Sequence, residues 1–472
     1  MNQTDNRKSK ERKLAERRLR RRNLEKAFER PFKTFERISS NGGLMLLCVG
    51  AIALIWANSP FQDVYNYIFE EFHINLSINS FSIDMHTIHW INDGLMAVFF
   101  LMAGLEIKRE MLAGELSNIK MAILPIFAAI GGMVVPILIY KCFGLEGEAA
   151  NGWGTPMATD IAFSIGILSL LGDRVPLSLK VFLTALAIVD DLGGVLVIAI
   201  FYTTNIQIVY LLSALGLFAL LLVLNNIFNV GRLHVYLITG FVIWWLLLQS
   251  GVHSTIAGVL TAFAIPMRTK LRSTEFVEGI RDVLPRFNSI GTGHNHTVVL
   301  NTGQINAVRT IHNLTKHVQS PLQYLENSLH EFVNYVVLPL FAISNSGVIV
   351  YNYYADQQPE VFSIVTVAIA LSLFIGKTIG ISLFSWIAVK LKLGEKPHGS
   401  SWHTMIGMGM MGGIGFTMSL FVASLAFSDP DILTQAKLGI FIGSTLSGVV
   451  GYFYLRWSLA ADEKEKSEGK LE

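Results

Sequence analysis

Long apolar stretches recur along the whole chain, and they constrain its fold more than any other feature. A helix needs about 20 mostly apolar residues to cross roughly 30 Å of hydrocarbon. Hydrophobic residues make up 52% of the 472 residues and charged residues only 15%, against roughly 25% charged in an ordinary soluble domain. One water-soluble core cannot bury this excess. The sequence therefore predicts an all-α polytopic membrane protein.

Lysine and arginine concentrate in alternate connections between these stretches, which is typical of loops that face the cytoplasm. The alternation fits twelve membrane-spanning segments with both termini in the cytoplasm. The fourth and eighth segments look short. The predicted segments are 42–58, 88–107, 119–140, 155–171, 176–203, 206–225, 233–249, 252–266, 330–350, 361–390, 403–427 and 434–457.

Charged tails flank the apolar region. We expect a basic cytoplasmic tail at 1–40, a transmembrane domain at 41–458 and a charged cytoplasmic tail at 459–472. The first tail has the composition of a solvated segment near anionic lipid rather than of a signal peptide. The connection 267–329 is long, and such loops are usually disordered or regulatory.

One outer connection has a different pattern. Residues 73–84 alternate apolar and polar side chains, with Asn79-Ser80 at the centre. A period of two around a central turn predicts a small β-hairpin. An isolated hairpin is marginal in water, so we expect this one to pair or to pack against another element.

Four ionisable side chains fall inside apolar segments: Asp160, Asp190, Asp191 and Lys377. Unpaired at membrane depth they would together cost on the order of 10 kcal/mol, so they must face one another or a wet cavity. Adjacent helical residues point about 100° apart. One of the two neighbouring aspartates can therefore pair with Lys377 while the other opens to an ion path. A static ion-pair cluster is the alternative, but three acids exceed one base.

The backbone near these charges is also unusual. Segment four begins at Pro156, and segment eleven carries the glycine run Gly412 to Thr417, with Gly413 and Gly415 in mid-span. Broken helices at membrane depth line wet sites enclosed by protein, and paired interruptions in two halves point to a transporter site. We therefore expect inverted repeats, with segments four and eleven unwound and crossing. Close helix packing is the alternative explanation for the glycines alone.

Carboxylates are hard oxygen ligands suited to Na⁺, Li⁺ or H⁺, and Thr159 could add a neutral oxygen. Neighbouring acids titrate as a coupled pair. If a proton and a metal ion cannot share one carboxylate, loading either one expels the other. With alternating access, that competition is antiport.

Other functions fit less well. A membrane aspartyl protease would be expected to show a Gly-x-Gly-Asp step, which does not occur, and it leaves Lys377 without a role. A cation channel ordinarily uses rings of carbonyls or acids, and a structural scaffold leaves the acids unexplained. A proton-coupled solute symporter remains open on physical grounds alone.

Seven stretches carry a family pattern in chain order: Asn92–Phe100, Gly104–Glu110, Ala158–Phe163, Ala185–Gly193, Ser250–His253, Ile375–Lys377 and Gly412–Ser419. On these stretches the chain resembles the NhaA family of sodium/proton antiporters, from about residue 40 to 458. The combination is highly specific. It favours antiport over symport.

The resemblance implies a twelve-helix inverted-repeat fold with helices four and eleven unwound and crossing. It implies that Asp191 is the principal carboxylate for the cation and the proton, with Asp160 and Thr159 at the crossing. It further implies that Lys377 pairs with Asp190 and could take part in proton exchange.

The resemblance also implies electrogenic exchange that exports Na⁺ or Li⁺, activated at alkaline pH, in a bacterial inner membrane. Glu106 and Glu110 match the pH-sensing region, although the residues alone suggest an ordinary solvated helix end. The hairpin at 72–85 would be a homodimer contact. We expect no enzymatic activity, no cofactor and no nucleic-acid partner. The basic tail and the expanded 267–329 connection depart from the family pattern.

Overall fold

The computed structural model describes most of the apolar region. Its described residues are 42–43, 45–78, 81–203, 206–269, 271–289, 300, 302–350 and 362–467. The predicted basic tail 1–40 and the last five residues of the tail 459–472 lie outside this part of the chain.

Helices dominate the described residues. In chain order they are α1 (Met45–Ala57), α2 (Gln62–Glu71), α3 (Thr87–Ala113), α4 (Ile119–Cys142), α5 (Ile161–Ser169), α6 (Leu177–Phe201), α7 (Ile208–Asn226), α8 (Leu233–Ser250), α9 (Ile256–Ala264), α10 (Ser273–Ser289), α11 (Thr302–Val318), α12 (Pro321–Phe332), α13 (Leu338–Asn345), α14 (Ile364–Lys390), α15 (Trp402–Gly412), α16 (Phe416–Ala426) and α17 (Pro430–Ser467). A π-helical turn at Val333–Val337 joins α12 to α13.

Within these ranges, seven helices are each long and apolar enough to cross a membrane: α3, α4, α6, α7, α8, α14 and α17. Two bent pairs also qualify, α1 with α2 at 120° and α15 with α16 at 45°. The fourth and eighth predicted segments contain only the short helices α5 and α9, of 9 residues each. A helix of that length rises only about 14 Å. Neither α5 nor α9 alone is therefore long enough to cross the hydrocarbon.

The predicted β-hairpin is present. Strands β1 (His73–Ile78) and β2 (Phe81–His86) pair antiparallel, with His73 opposite His86 and Ile78 opposite Phe81. The predicted turn residues 79–80 lie outside the described residues.

The connection 267–329 differs from the predicted loop, because it contains α10, α11 and the start of α12. Apolar residues three and four apart, such as Phe276, Ile280 and Val283, give α10 one apolar side, and α11 packs against it. The Gly- and Asn-rich centre of the connection obscured this helical period in the sequence.

The close approach of α4 and α14 positions the charged core. The two helices meet backbone to backbone at Gly131 and Gly380, where a Cβ on either glycine would press into the carbonyl oxygen of the other. Lys377 lies three residues before Gly380 on α14, so this contact holds its side chain against the bundle interior.

Gly380→Ala should therefore lower the apparent melting temperature of the purified protein in detergent. The added methyl group has no space, and overpacking of this kind costs roughly 1–3 kcal/mol. Gly216→Ala on α7 is the matched control, because a Cβ there would meet nothing within 4 Å. We expect the control to melt at an unchanged or slightly higher temperature. Equal melting of the two variants would contradict close packing at Gly131 and Gly380.

Candidate functional site

Two interruptions of helical backbone lie against each other in the core. Ala158 and Asp160 are extended, between a 3-10 stretch at Gly147–Met157 and α5. The other break separates α15 from α16. The Asp160 amide donates to the Ile414 carbonyl at 2.7 Å, and a Cβ on Gly415 would come 2.7 Å from the Ala158 carbonyl oxygen. The glycine run therefore permits a close contact between the two broken segments.

Asp160 is the N-cap of α5, and its carboxylate also accepts hydrogen bonds from the first turn of α16. Its Oδ1 accepts from the Phe163 amide at 3.0 Å. Its Oδ2 accepts from the Thr417 amide at 3.0 Å and from the Thr417 hydroxyl at 2.5 Å. Amide groups at the starts of two helices thus converge on one buried carboxylate, where the helix dipoles favour negative charge.

Lys377 is fully buried on α14 and connects three segments. Its Nζ donates to Asp190 Oδ2 on α6 at 2.7 Å and to the Thr159 hydroxyl at 2.8 Å. The Thr159 hydroxyl in turn donates to the Gly412 carbonyl at 2.9 Å, at the end of α15. Helical geometry alone left open which aspartate meets the lysine, and the family resemblance implied Asp190; in the structure Lys377 contacts Asp190.

Asp191 faces a different direction from its neighbour. It lines a cavity of about 40 Å³ together with Asp160, Thr159, Thr417 and Glu106. That volume can hold a small number of water-sized groups. Among the described residues, no side chain or backbone group hydrogen-bonds to the Asp191 carboxylate, although this residue is only 6% exposed.

The cavity therefore offers carboxylate oxygens of two kinds: those of Asp191, which no described residue hydrogen-bonds, and those of Asp160, which already accept three hydrogen bonds. No group of three or more His, Cys, Asp or Glu side chains in the described ranges is placed to hold a metal ion. A cation beside Asp191 would complete its coordination with hydroxyl or water oxygens. A proton needs only the carboxylate.

At the C-terminal end of α3, the charged side chains are held by other groups rather than solvated. Lys108 Nζ donates to the Phe263 and Ile265 carbonyls at 2.7 and 2.5 Å. These carbonyls lie at the end of α9, where a cation satisfies unpaired acceptors and the helix dipole.

An ion-pair cluster lies beside Lys108, around the neighbouring Arg109. Arg109 bonds Glu110 at 2.9 Å and Glu326 of α12 at 3.3 Å. Burial raises the pKa of Glu326, and the neighbouring Arg109 opposes that rise. Glu106, three residues before Arg109 on the same side of α3, reaches the cavity of Asp191.

Sequence reasoning missed Glu326, and it missed His330 and Asn334, which also line the cavity. Glu326 falls in the predicted loop 267–329, and His330 and Asn334 fall at the start of the predicted membrane-spanning segment 330–350. The available signal was their spacing of four residues, since Glu326, His330 and Asn334 share one helical side.

Comparisons with known proteins agree with one another. Residues 33–455 match the family model described as Na⁺/H⁺ antiporter 1. The chain is similar to the Na⁺/H⁺ antiporter NhaA of Bacteroides fragilis, at 46% identity over 440 residues, covering 91% of this chain and 98% of the relative. It is also similar to the protein of that name from Oleidesulfovibrio alaskensis, at 44% identity over 437 residues, covering 93% and 96%.

Among solved structures, a sodium proton antiporter from Methanocaldococcus jannaschii matches with a TM-score of 0.43 and 15% identity, covering 89% of this chain and 91% of that one. This likeness is too weak to bear on the fold.

Lys377→Gln should destabilise the protein more than the double change Lys377→Gln with Asp190→Asn. The single change leaves a buried carboxylate without its counter-charge, which costs roughly 3–5 kcal/mol, whereas removing both charges costs much less. Thermal unfolding of the two purified variants, followed by intrinsic fluorescence, measures the difference. A double variant that melts below the single one would show that the pair does not act as a unit.

Proposed function

The chain belongs to the Na⁺/H⁺ antiporter 1 family, and we propose that Asp191 is the carboxylate through which it exchanges Na⁺ for H⁺. One observation carries this assignment. Of the three aspartates at the helix breaks and on α6, Asp160 accepts three hydrogen bonds from Thr417 and Phe163, and Asp190 is held by Lys377. Asp191 faces the cavity without a hydrogen bond from the described residues, so its oxygens can take either a proton or a cation.

Exchange follows from competition at that carboxylate. A proton on Asp191 removes the charge that would bind Na⁺ or Li⁺, and a bound cation excludes the proton. Asp160 supplies a second negative charge beside the same cavity. Two carboxylates next to one monovalent cation allow more protons than cations per cycle, which would make the exchange electrogenic.

Thr159 and Lys377 have a positioning role in this proposal. The Thr159 hydroxyl already accepts from Lys377 and donates to Gly412, so it has one lone pair left for a cation. Its main effect is to join the lysine to the break before α16. The Lys377–Asp190 pair holds α6 and α14 to that break, and it could relay a proton when Asp191 changes its occupant.

Access from both membrane sides would come from the broken helices. We assign α5 and the pair α15–α16 to the fourth and eleventh of twelve spans, unwound and crossing in an inverted repeat. The hydrogen bonds between Asp160 and Ile414 and between Thr159 and Gly412 support this. A break that rearranges hydrogen bonds, rather than a continuous helix, can open to either side at modest cost.

The remaining proposals concern the location of the protein, its oligomeric state and its pH response. We propose a bacterial inner-membrane location with both termini in the cytoplasm, where the protein serves sodium and pH homeostasis. A homodimer would form through the 72–85 hairpin, whose two strands each have an unpaired edge. The cluster of Glu106, Arg109, Glu110 and Glu326 would set the pH response, because it joins the cavity to the cytoplasmic surface.

Asp191→Asn should abolish Na⁺-dependent dequenching of a pH-gradient dye in everted membrane vesicles. The amide is close in size, but it cannot exchange a proton for a cation. The control is the double variant Asp190→Asn with Lys377→Gln, which removes the neighbouring charges in a balanced way. We expect the control to retain Na⁺-dependent dequenching, with a changed number of charges moved per cycle. Full activity in Asp191→Asn, at equal protein levels, would refute the assignment.

Glu326→Gln should make the dependence of transport rate on pH shallower. Because burial raises the pKa of Glu326, its carboxyl keeps a proton to higher pH than an ordinary glutamate. As the pH rises, it becomes charged and pairs with Arg109. Glutamine removes that step and leaves Glu106 and Glu110 in place.

Rates of Na⁺-dependent dequenching between pH 6 and 9 test this expectation, with the Na⁺ concentration held saturating. Glu331→Gln, on the same helix and outside the ion pairs of Arg109, is the matched control. An unchanged slope for Glu326→Gln would exclude this carboxyl from the pH response.

A further inference from the structure

Helices α10 and α11 form an antiparallel hairpin inside the expanded connection. The Leu271 amide at its base donates to the His317 carbonyl at 3.1 Å. About two turns into α10, a Cβ on Gly279 would lie 3.0 Å from Leu314 Cδ1. The contact between the helices buries Val283 and Ala307, at 8% and 7% exposure. This side of each helix is therefore occupied by the other.

A second apolar side is left open to solvent. Val277 and Leu284 of α10 are 56% and 50% exposed, and Ile305 and Val308 of α11 are 39% and 45% exposed. With about 100° per residue, Val277, Leu284 and Val308 lie roughly a quarter turn from the buried contact of their own helix. Because the helices run antiparallel, that quarter turn leads to the same side of the hairpin.

Charged residues also differ between the two sides of the hairpin. Arg281 lies on the side of the exposed apolar residues, and His312 lies on the same side of α11. Arg309, four residues after Ile305 and four before Asn313, lies at the edge of that side. The opposite side carries acidic and amide groups at Glu275, Asp282, Asn306 and Asn313. The hairpin is thus apolar and basic on one side and acidic and polar on the other.

The base of the hairpin is attached to the membrane-spanning bundle. It follows α9 and precedes α12, and the Leu322 amide donates to the Pro266 carbonyl at 3.3 Å. Helix α10 has 17 residues, so the hairpin reaches about 25 Å from that base. A bilayer surface therefore lies within its reach.

We propose that the α10–α11 hairpin docks on the anionic cytoplasmic leaflet through Val277, Leu284, Ile305 and Val308, with Arg281 and Arg309 contacting lipid phosphates. The inference rests on the proposed cytoplasmic side of this connection. Helices with an apolar and basic side lie in the membrane interface, and the cytoplasmic leaflet attracts basic groups. A soluble partner fits less well, since four apolar side chains cover much less than the roughly 800 Å² per partner of a stable protein interface.

Lipid contact can be measured on the full-length protein with a single fluorescent probe. Cys48 and Cys142 are exposed, so the starting variant carries Cys48→Ser and Cys142→Ser. An environment-sensitive nitrobenzoxadiazole label is attached at Val308→Cys or, as the matched control on the opposite side of α11, at Asn313→Cys. Each protein is reconstituted in vesicles of phosphatidylcholine with phosphatidylglycerol, with and without nitroxide-labelled lipid as quencher.

We expect at least about threefold stronger quenching at position 308 than at 313, because an interfacial helix buries its apolar side roughly 5–10 Å into the bilayer. Arg281→Gln with Arg309→Gln, or molar salt, should reduce the difference, since surface charge is screened. Na⁺-dependent dequenching should be unchanged in every variant. Val277→Cys provides the same measurement if the label at 308 impairs folding.

Equal quenching at 308 and 313 would overturn the proposal. So would quenching that is insensitive both to the two arginines and to phosphatidylglycerol. A probe at 308 that is quenched by no lipid, and that changes only when a soluble cell extract is added, would indicate a protein partner instead. Retained Na⁺-dependent dequenching in any of these cases would leave the antiport assignment of Asp191 intact.

Discussion

The contact of Lys377 with Asp190 and Thr159 organises the transport core. A fully buried ammonium group is costly unless each proton finds an acceptor. Its two acceptors come from α6 and from the extended stretch before α5, while the lysine itself belongs to α14. Three segments far apart in sequence must therefore meet at one point. The glycine contact between α4 and α14 provides the close approach that this meeting requires.

The helix breaks determine which aspartate remains available. Broken helices expose amide groups that need an acceptor, and Asp160 satisfies those at the starts of α5 and α16. Lys377 occupies Asp190. Electrostatic compensation thus uses Asp160 and Asp190 and leaves Asp191 beside the cavity. The ion-exchange site that we propose at Asp191 arises because the helix breaks and Lys377 together need less negative charge than the three aspartates supply.

Much of this arrangement could be predicted from the sequence. Charges inside apolar stretches, a glycine run and a period of two each carry a local physical meaning, and they located the core and the hairpin. The partner of Lys377 could not be derived in this way, because Asp190 and Asp191 differ only by one helical step. Glu326 and the α10–α11 hairpin were missed for another reason. Their helical period lies beside a Gly- and Asn-rich stretch, and the composition of that stretch dominated the interpretation of the whole connection.

Helix α3 links the cavity of Asp191 to the ion pairs of Arg109. Glu106 lines the cavity of Asp191, and Arg109, one turn further on, pairs with Glu326 of α12. Lys108 holds the end of α9. A proton gained or lost at Glu326 changes the charge opposite Arg109, and Arg109 lies one helical turn from Glu106 on the same side of α3. The helix that we propose as the pH sensor therefore also forms a wall of the cavity.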